Sequence, residues 1–576
     1  MTARVARGSA WLLLAIAALA AALRFWAISY GLPAIFNPDE IPILSRALAL
    51  AKGDLNPHNF LYPTLYFYEL FAWETLYFAV GRVAGIYRSV ADFQNAFFVD
   101  PSRLVLVGRT LTAVFGVATI AAVYDAGRRL YDRRVGLGAA LFLAVAPFAV
   151  RDAHYVKLDV PTAFFTTLTY AALARILMSE GTGAASRPRS WLLAGYAGGL
   201  AMASHYYALF ICVPFVVAAI VQAERTGNWR AAFGLLTAAA AGTIAGFVTG
   251  CPFFFAEPRT AIRDIAGVRE VDIDRAVAGS EGAFPTLGAY FKMLWTDAIG
   301  WPVFAGALVG LATSGWRRSL LLASFPIAFL AFIGHTVPES RYLNVVLPVV
   351  AIAGAAGIAW MLSRMRVVAP PITAVAFLLC ATPGLLLSVR SDRFYLMRDT
   401  RAVAADFIVQ NVAPGKTVLV QPYSAPLNRS RDSIVDALRE HLGSETKASI
   451  KFQLQLAANP YPSPAYRLIY LGDGGEDPDK IYLSPRAFDG SGLAPLSALG
   501  VDYVVLKRYN IENPALVPLE SALRQHAKLV ATVSPYRPDA SAEERAVTAP
   551  FLHNTAARIQ PALERPGPIV DVWQIK

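Results

Sequence analysis

Apolar residues along this chain come in long blocks, not in the short alternation of a soluble sheet domain. Blocks near or above the length needed to cross a bilayer cover 11–29, 104–124, 135–150, 160–178, 191–204, 206–223, 231–250, 301–314, 319–335, 342–362 and 367–389. Short basic clusters separate them: Arg128, Arg129, Arg133 and Arg134; Arg187 and Arg189; Arg225 and Arg230; Arg317 and Arg318; Arg364 and Arg366. They recur at every second connection. Placing them on the cytoplasmic side, with Arg4 and Arg7, satisfies the positive-inside rule. The pattern then predicts a polytopic α-helical membrane protein of about eleven spans, N-terminus cytoplasmic and C-terminus outside. Phe60 to Gly81 is also apolar enough to cross, but a crossing there would invert every later cluster. It carries Glu69, Glu74 and the aromatic composition of an interface, so it is predicted to lie on or dip into the membrane within an outer loop, 30–103.

The pattern changes after Ser388. Residues 390–576 are polar and carry turn signals such as Pro414-Gly415-Lys416. Thr400 to Val412 and Pro514 to His526 predict helices; Thr417 to Gln421, Asp502 to Leu506, Leu529 to Val533 and Ile569 to Ile575 predict strands. The expected division is a membrane domain, 1–389, and an extracytoplasmic soluble α/β domain, 390–576. No internal repeat is evident.

Composition agrees with the membrane class. Of 576 residues, 56% are apolar and 16% are charged, against about 25% charged in soluble domains. The net charge of +11 does not imply nucleic acid, because the basic residues sit between apolar blocks. Cys212, Cys251 and Cys380 show neither disulfide nor zinc spacing. Arg4 and Arg7 precede an apolar stretch, Trp11 to Ile28, that has no convincing cleavage site, which predicts a retained signal anchor.

This topology gathers the chemistry at the outer face. The first loop carries Asp39, Glu40, Asp54, His58 and Tyr62, and returns to the membrane at Arg103 and Arg109. The second carries Arg151, Asp152, His154, Lys157 and Asp159. A tight connection holds His205, Tyr206 and Tyr207. The long loop 251–300 carries Arg259, Arg263, Asp264, Arg269, Glu270, Asp272, Asp274 and Asp297; a later one carries His335, Glu339, Arg341 and Tyr342. Each has a plainer explanation. Asn37-Pro38-Asp39-Glu40 is a good helix start, with Asn as cap and acids in the first turn. Lys157, Arg109 and Arg341 could snorkel to the membrane surface. The aromatics of 60–78 fit an interfacial belt. The convergence from distant loops outweighs any single residue.

Four motifs carry a resemblance. Asp39-Glu40 leads through an amphipathic stretch to Gly53-Asp54; Pro57-His-Asn-Phe60-Leu-Tyr62-Pro63-Thr-Leu65 follows; an Arg109-led span closes on Gly127-Arg128-Arg129-Leu130; and the second outer loop ends in Asp159-Val-Pro161. In this order, with the late Arg341-Tyr342, the chain resembles the GT-C membrane glycosyltransferases of family 39, which include protein O-mannosyltransferases and aminoarabinose transferases. The resemblance implies sugar transfer from a polyprenyl-phosphate donor to an acceptor hydroxyl, with inversion. It implies Asp39 as general base. Glu40 or Asp159, acids from two loops, could orient the acceptor or hold a divalent cation, which they permit without demanding it. It implies Arg109, Lys157 and Arg341 as phosphate ligands, with Tyr62 and Tyr342 nearby. His58, His154 and His205 are further candidates toward the acceptor, which could be glycan, lipid or protein. Two departures stand out. Tyr62 occupies the place where the aminoarabinose transferases have a lysine, and 390–576 does not match the soluble module of the mannosyltransferases. The rival expectation is a lipid-linked sugar transporter or flippase. It predicts ionisable residues in mid-span and broken helices, where these spans are nearly free of charge. A membrane-anchored binding protein would not need eleven spans.

Overall fold

The computed structural model describes residues 2–178, 187–267, 283–334, 336–366, 369–475, 477–509, 513–551 and 559–576. Arg269, Glu270, Asp272, Asp274 and His335 of the expected outer face lie outside them, as do the side chains of Arg4 and Arg7. The chain forms two compact units, and three stretches feed each. The first comprises 1–28, 38–77 and 105–392; the second comprises 29–37, 78–104 and 393–576.

The first unit is helical. Among the described residues seven helices are long and apolar enough to cross a membrane, from Ser102–Leu130 to the long run beginning at Pro370. A bent pair, Arg133–Ala144 and Pro147–His154, with 59° between its halves, is apolar enough to make an eighth if the two halves form one span. Pro147 opens the second half at a helix N1 position, where its missing N–H costs nothing. The expected straight span 135–150 is therefore two short helices, and the break turns Arg151 to Asp159 into a buried connection. Ala10–Phe25 and Trp301–Thr313 are shorter apolar helices. A second departure is at 342–362. Ser340–Val345 is a 3-10 turn, and the α-helix begins only at Leu347. Phe60 to Gly81 contributes the helix Leu65–Val83, which packs on Ser102–Leu130 through Tyr66 Oη to Thr112 Oγ1 at 2.7 Å and Trp73 Nε1 to Thr110 Oγ1 at 3.1 Å.

Small residues let two helix pairs close to backbone contact. In Pro188–Ser204 against Trp229–Gly250, a Cβ added at Gly199 would lie 2.1 Å from Thr243 O, and one at Gly242 would lie 2.0 Å from Leu192 O. In Trp301–Thr313 against Leu347–Arg364, one at Gly310 would lie 2.0 Å from Ala353 O. This is the small-xxx-small packing that membrane helices use in place of a hydrophobic drive.

The second unit is a sheet of seven strands between helices. The strands are β1 (Thr417–Val420), β2 (Asn428–Arg429), β3 (Ala465–Leu471), β4 (Ile481–Leu483), β5 (Tyr503–Arg508), β6 (Ala527–Val533) and β7 (Ile569–Ile575). The order is β2-β3-β1-β5-β7-β6, with β4 also on β3. β1 pairs in parallel with β3 and β5, and β7 runs antiparallel to β5 and β6. Alternate residues of the central strands face opposite layers. Val418, Val420 and Val505 pack with Ala404 and Ile408 of the helix Thr400–Asn411. Leu419, Val504 and Leu506 pack with Leu519 and Leu523 of the helix Val517–His526. Segment 29–37 joins this unit through Tyr30 Oη to Asp399 Oδ2 at 2.8 Å, and through the Arg401 guanidinium 3.9 Å above the Phe36 ring.

Candidate active site

The first acidic pair is split by helix geometry. The helix Glu40–Ala49 buries Glu40, Ile43, Leu44 and Ala47, the i, i+3, i+4, i+7 stripe of one face. Glu40 is carried inward with that stripe. Asp39, one residue earlier, is the N-cap, but its side chain makes no capping hydrogen bond. The expectation of Asn37 as the cap is therefore corrected: Asn37 lies two residues before the N-cap and is buried. The Asp39 carboxylate turns to two cations instead, with Oδ2 3.2 Å from Lys157 Nζ and 3.5 Å from Arg341 Nη1.

Each cation arrives on irregular backbone. Lys157 lies in the connection created by the helix break and is 3% exposed, while Asp39 is 30% exposed. Arg341 lies in the 3-10 turn before Leu347, 2.6 Å from Glu339 and 5.3 Å from the centroid of the Tyr342 ring. A cation as buried as Lys157 needs a partner; Asp39 supplies it and also faces Arg341, which Glu339 pairs more closely.

Glu40 has a different role. Arg109 grips it with two hydrogen bonds, Nε to Oε1 and Nη2 to Oε2, both 2.8 Å, and the pair is fully buried. Arg109 Nη1 donates to Ile28 O at 2.9 Å. Glu40 Oε1 also accepts from the Val156 N–H at 3.0 Å, the residue beside Lys157. Arg109 is thus engaged with Glu40, which in turn holds the backbone beside Lys157.

Around the triad lies an aromatic wall. Tyr207 Oη donates to Asp159 Oδ1 at 3.0 Å. The His205 ring stacks on Tyr207 with centroids 3.8 Å apart, and Tyr62 meets His205 edge-on at 5.7 Å. Tyr342 stands edge-on to Tyr207 at 5.9 Å. Burial, helped by the charge of Arg341, pushes the His205 imidazole down to about 3, so it stays neutral and is a poor proton acceptor at neutral pH.

Two histidines lie elsewhere. His154 is fully buried and contacts Val150 O at 2.9 Å and Trp26 O at 2.7 Å. His58 is exposed, with Nε2 3.0 Å from Asp54 and Nδ1 2.5 Å from Glu257. Its hydrogen bonds to these carboxylates, Asp54 first, raise its pKa. Among the described residues no three His, Cys, Asp or Glu side chains form a metal-binding group. Asp39 is engaged by two cations, Glu40 by Arg109 and Asp159 by the Tyr207 hydroxyl. Tyr207, placed by the sequence at the outer face without a role, matters through its bond to Asp159. Asn344 carried no signal in the sequence and enters through its bonds to Asp152 and to the Arg341 carbonyl.

Known proteins share features with this chain. Residues 103–249 match the family described as dolichyl-phosphate-mannose-protein mannosyltransferase. ArnT from Cupriavidus metallidurans bound to undecaprenyl phosphate aligns at 15% identity and TM-score 0.50, covering 91% of this chain and 96% of that one. The same protein in its apo state aligns at 16% identity and TM-score 0.50, over 92% and 96%. The archaeal oligosaccharyltransferase AglB from Archaeoglobus fulgidus, in complex with an inhibitory peptide and a dolichol-phosphate, aligns at 11% identity and TM-score 0.47, over 98% and 88%. No protein of curated function matches by sequence. The likeness to ArnT is one of fold. With the family match it makes this chain an integral membrane protein that resembles the GT-C glycosyltransferases of family 39.

Proposed function

We propose that this chain is a membrane glycosyltransferase that moves a sugar from a polyprenyl-phosphate donor to an acceptor hydroxyl at the extracytoplasmic face. The observation that carries the proposal is the Asp39 carboxylate held between Lys157 and Arg341. A donor phosphate entering here takes over both cations, and Asp39 is released to act as base. The acceptor oxygen attacks the anomeric carbon and its proton goes to Asp39. The bond from that carbon to the phosphate oxygen breaks on the opposite side, which inverts the configuration. The leaving group is a phosphate monoester dianion and needs no general acid. Lys157 and Arg341 stabilise the charge that develops on it, Arg341 as a bidentate donor.

The other expected site residues take supporting places. Glu40 and Arg109 fix the backbone at Val156 and so hold Lys157. Asp159 orients Tyr207, and with it the stacked His205, Tyr62 and Tyr342, toward the sugar. The acceptor is a glycan, lipid or protein hydroxyl, and no step requires a metal.

The experiment is mass spectrometry of surface glycans and glycolipids in a null strain complemented with wild type or with Asp39→Asn. General-base help is worth about 10²–10⁴ in rate, so Asp39→Asn should restore no sugar-sized mass difference while reaching wild-type expression. Restoration by the mutant would remove Asp39 as base. No difference with wild type would remove the transferase assignment.

A further inference from the structure

The proposed phosphate ligand Arg341 stands on weak support of its own. Ser340–Val345 is six residues of 3-10 turn, a geometry with poor internal hydrogen bonds. It is held from outside by a buried network. Arg151 Nε donates to Asp152 Oδ1 at 2.9 Å, and Arg151 Nη2 donates to Ser340 Oγ at 2.6 Å. The guanidinium lies 4.5 Å above the Phe148 ring. Asn344 spends both amide hydrogens, one on Asp152 Oδ2 at 2.6 Å and one on the Arg341 carbonyl at 3.0 Å. Arg151, Asp152, Ser340 and Asn344 are all at least 95% buried. The turn is therefore clamped on both sides of Arg341, by Ser340 before it and Asn344 after it.

The network reaches further into the bundle. Asn344 Oδ1 has no hydrogen-bond partner among the described residues, and neither does Arg24 Nε. The other Arg24 nitrogens donate to Ala20 O, Ala144 O and Leu143 O. Arg24 and Asn344 line the same cavity with Gly116, Thr119 and Val160; its volume is about 20 Å³. That is room for one water, with a donor on one wall and an acceptor on the other.

We propose that Asn344 is a positioning residue for donor binding: together with the Arg151–Asp152 pair it sets the place of Arg341. This rests on the donor reading above. An asparagine that served only bundle stability would affect phosphate binding equally whether or not Arg341 were present. One that acts through Arg341 loses its effect once Arg341 is gone. Residues in one hydrogen-bond network show such coupling, and separate ones add.

The test is a double-mutant cycle in equilibrium binding of undecaprenyl phosphate to the purified full-length protein in detergent. Four proteins are compared: wild type, Asn344→Leu, Arg341→Ala and the double mutant. Leucine keeps the volume and removes the hydrogen bonds. The expected result is a roughly tenfold weakening by Asn344→Leu in wild type and less than about twofold in Arg341→Ala. If Asn344→Leu yields no folded protein, Ser340→Ala carries the same cycle, because it removes a single hydroxyl. Equal fold-losses in both backgrounds would overturn the positioning role alone. No binding to wild type would overturn the donor reading and this proposal with it.

Discussion

Asp39 and Glu40 are adjacent, yet a helix places neighbours 100° apart, so one enters the buried stripe and the other stays at the mouth. The same logic separates the basic residues. Arg109 is 1% exposed and faces a fully buried Glu40, which predicts a structural role for it. Arg109→Ala leaves Glu40 buried without its cation, and breaking a buried pair in this way typically costs about 3–5 kcal/mol. The expected outcome is a clear fall in melting temperature in detergent, with or without donor. Arg341→Ala should differ. Arg341 is 19% exposed and its partners Glu339 and Asp39 are 25% and 30% exposed, so the melting temperature should change little while donor affinity falls. A stable Arg109→Ala protein that had lost only donor affinity would return Arg109 to the phosphate site. The sequence marked both arginines as phosphate ligands because position at the outer end of a span is all it displays. Which arginine already has a carboxylate depends on which acid lies on the inward stripe. The periodicity Glu40, Ile43, Leu44, Ala47 did contain that information.

Among the helices, spacing mattered as much as hydropathy. Apolar blocks revealed most of the crossings, but a block has no way to show a break. Pro147 ends one helix and starts another inside 135–150. The turn at 340–345 likewise hides in apolar sequence. Both irregular stretches carry the proposed phosphate ligands, so the least legible backbone is the part nearest the chemistry. In the sheet domain β1, β5, β6 and β7 were legible as apolar strands. β3 escaped because Tyr466, Arg467 and Tyr470 interrupt its apolar character. Glycine spacing went unread too. Gly195 and Gly199 on one helix face Gly242 and Gly246 on the other, at three-residue gaps that bring backbones together. A valine at Gly199 must displace the Thr243 carbonyl, 2.1 Å from its Cβ, and backbone cannot swing aside as a side chain can. Gly199→Val is therefore expected to abolish the monodisperse peak in fluorescence size-exclusion chromatography. Gly234→Ala, in the facing helix with nothing within 4 Å of the new Cβ, should be silent or slightly stabilising by helix propensity. Equal behaviour of the two variants would reject close packing as the reason for these glycines.

The whole molecule raises the question of sides. The proposed chemistry needs Asp39, Lys157 and Arg341 on the face opposite the basic clusters. The two kinds of residue do separate along the helices. Arg128 and Arg129 close Ser102–Leu130, and Arg133 and Arg134 open the next helix. Lys157 precedes Asp159–Met178, and Arg341 precedes Leu347–Arg364, whose far end carries Arg364. Helix by helix, one end holds site residues and the other holds arginines. With the arginines on the inner side, the positive-inside rule predicts that the site faces out. Residues 390–576 follow the run beginning at Pro370, which starts after Arg364 and Arg366, and the same rule predicts that they lie outside. The measurement is thiol labelling with a membrane-impermeant reagent in intact cells, in a background with Cys212, Cys251 and Cys380 replaced. A cysteine at exposed Arg398 should label in intact cells, and one at exposed Arg133 only after lysis. The reversed pattern would put the site on the cytoplasmic face, where a lipid-linked donor need not have been flipped before use. The transferase would then act before translocation rather than after it.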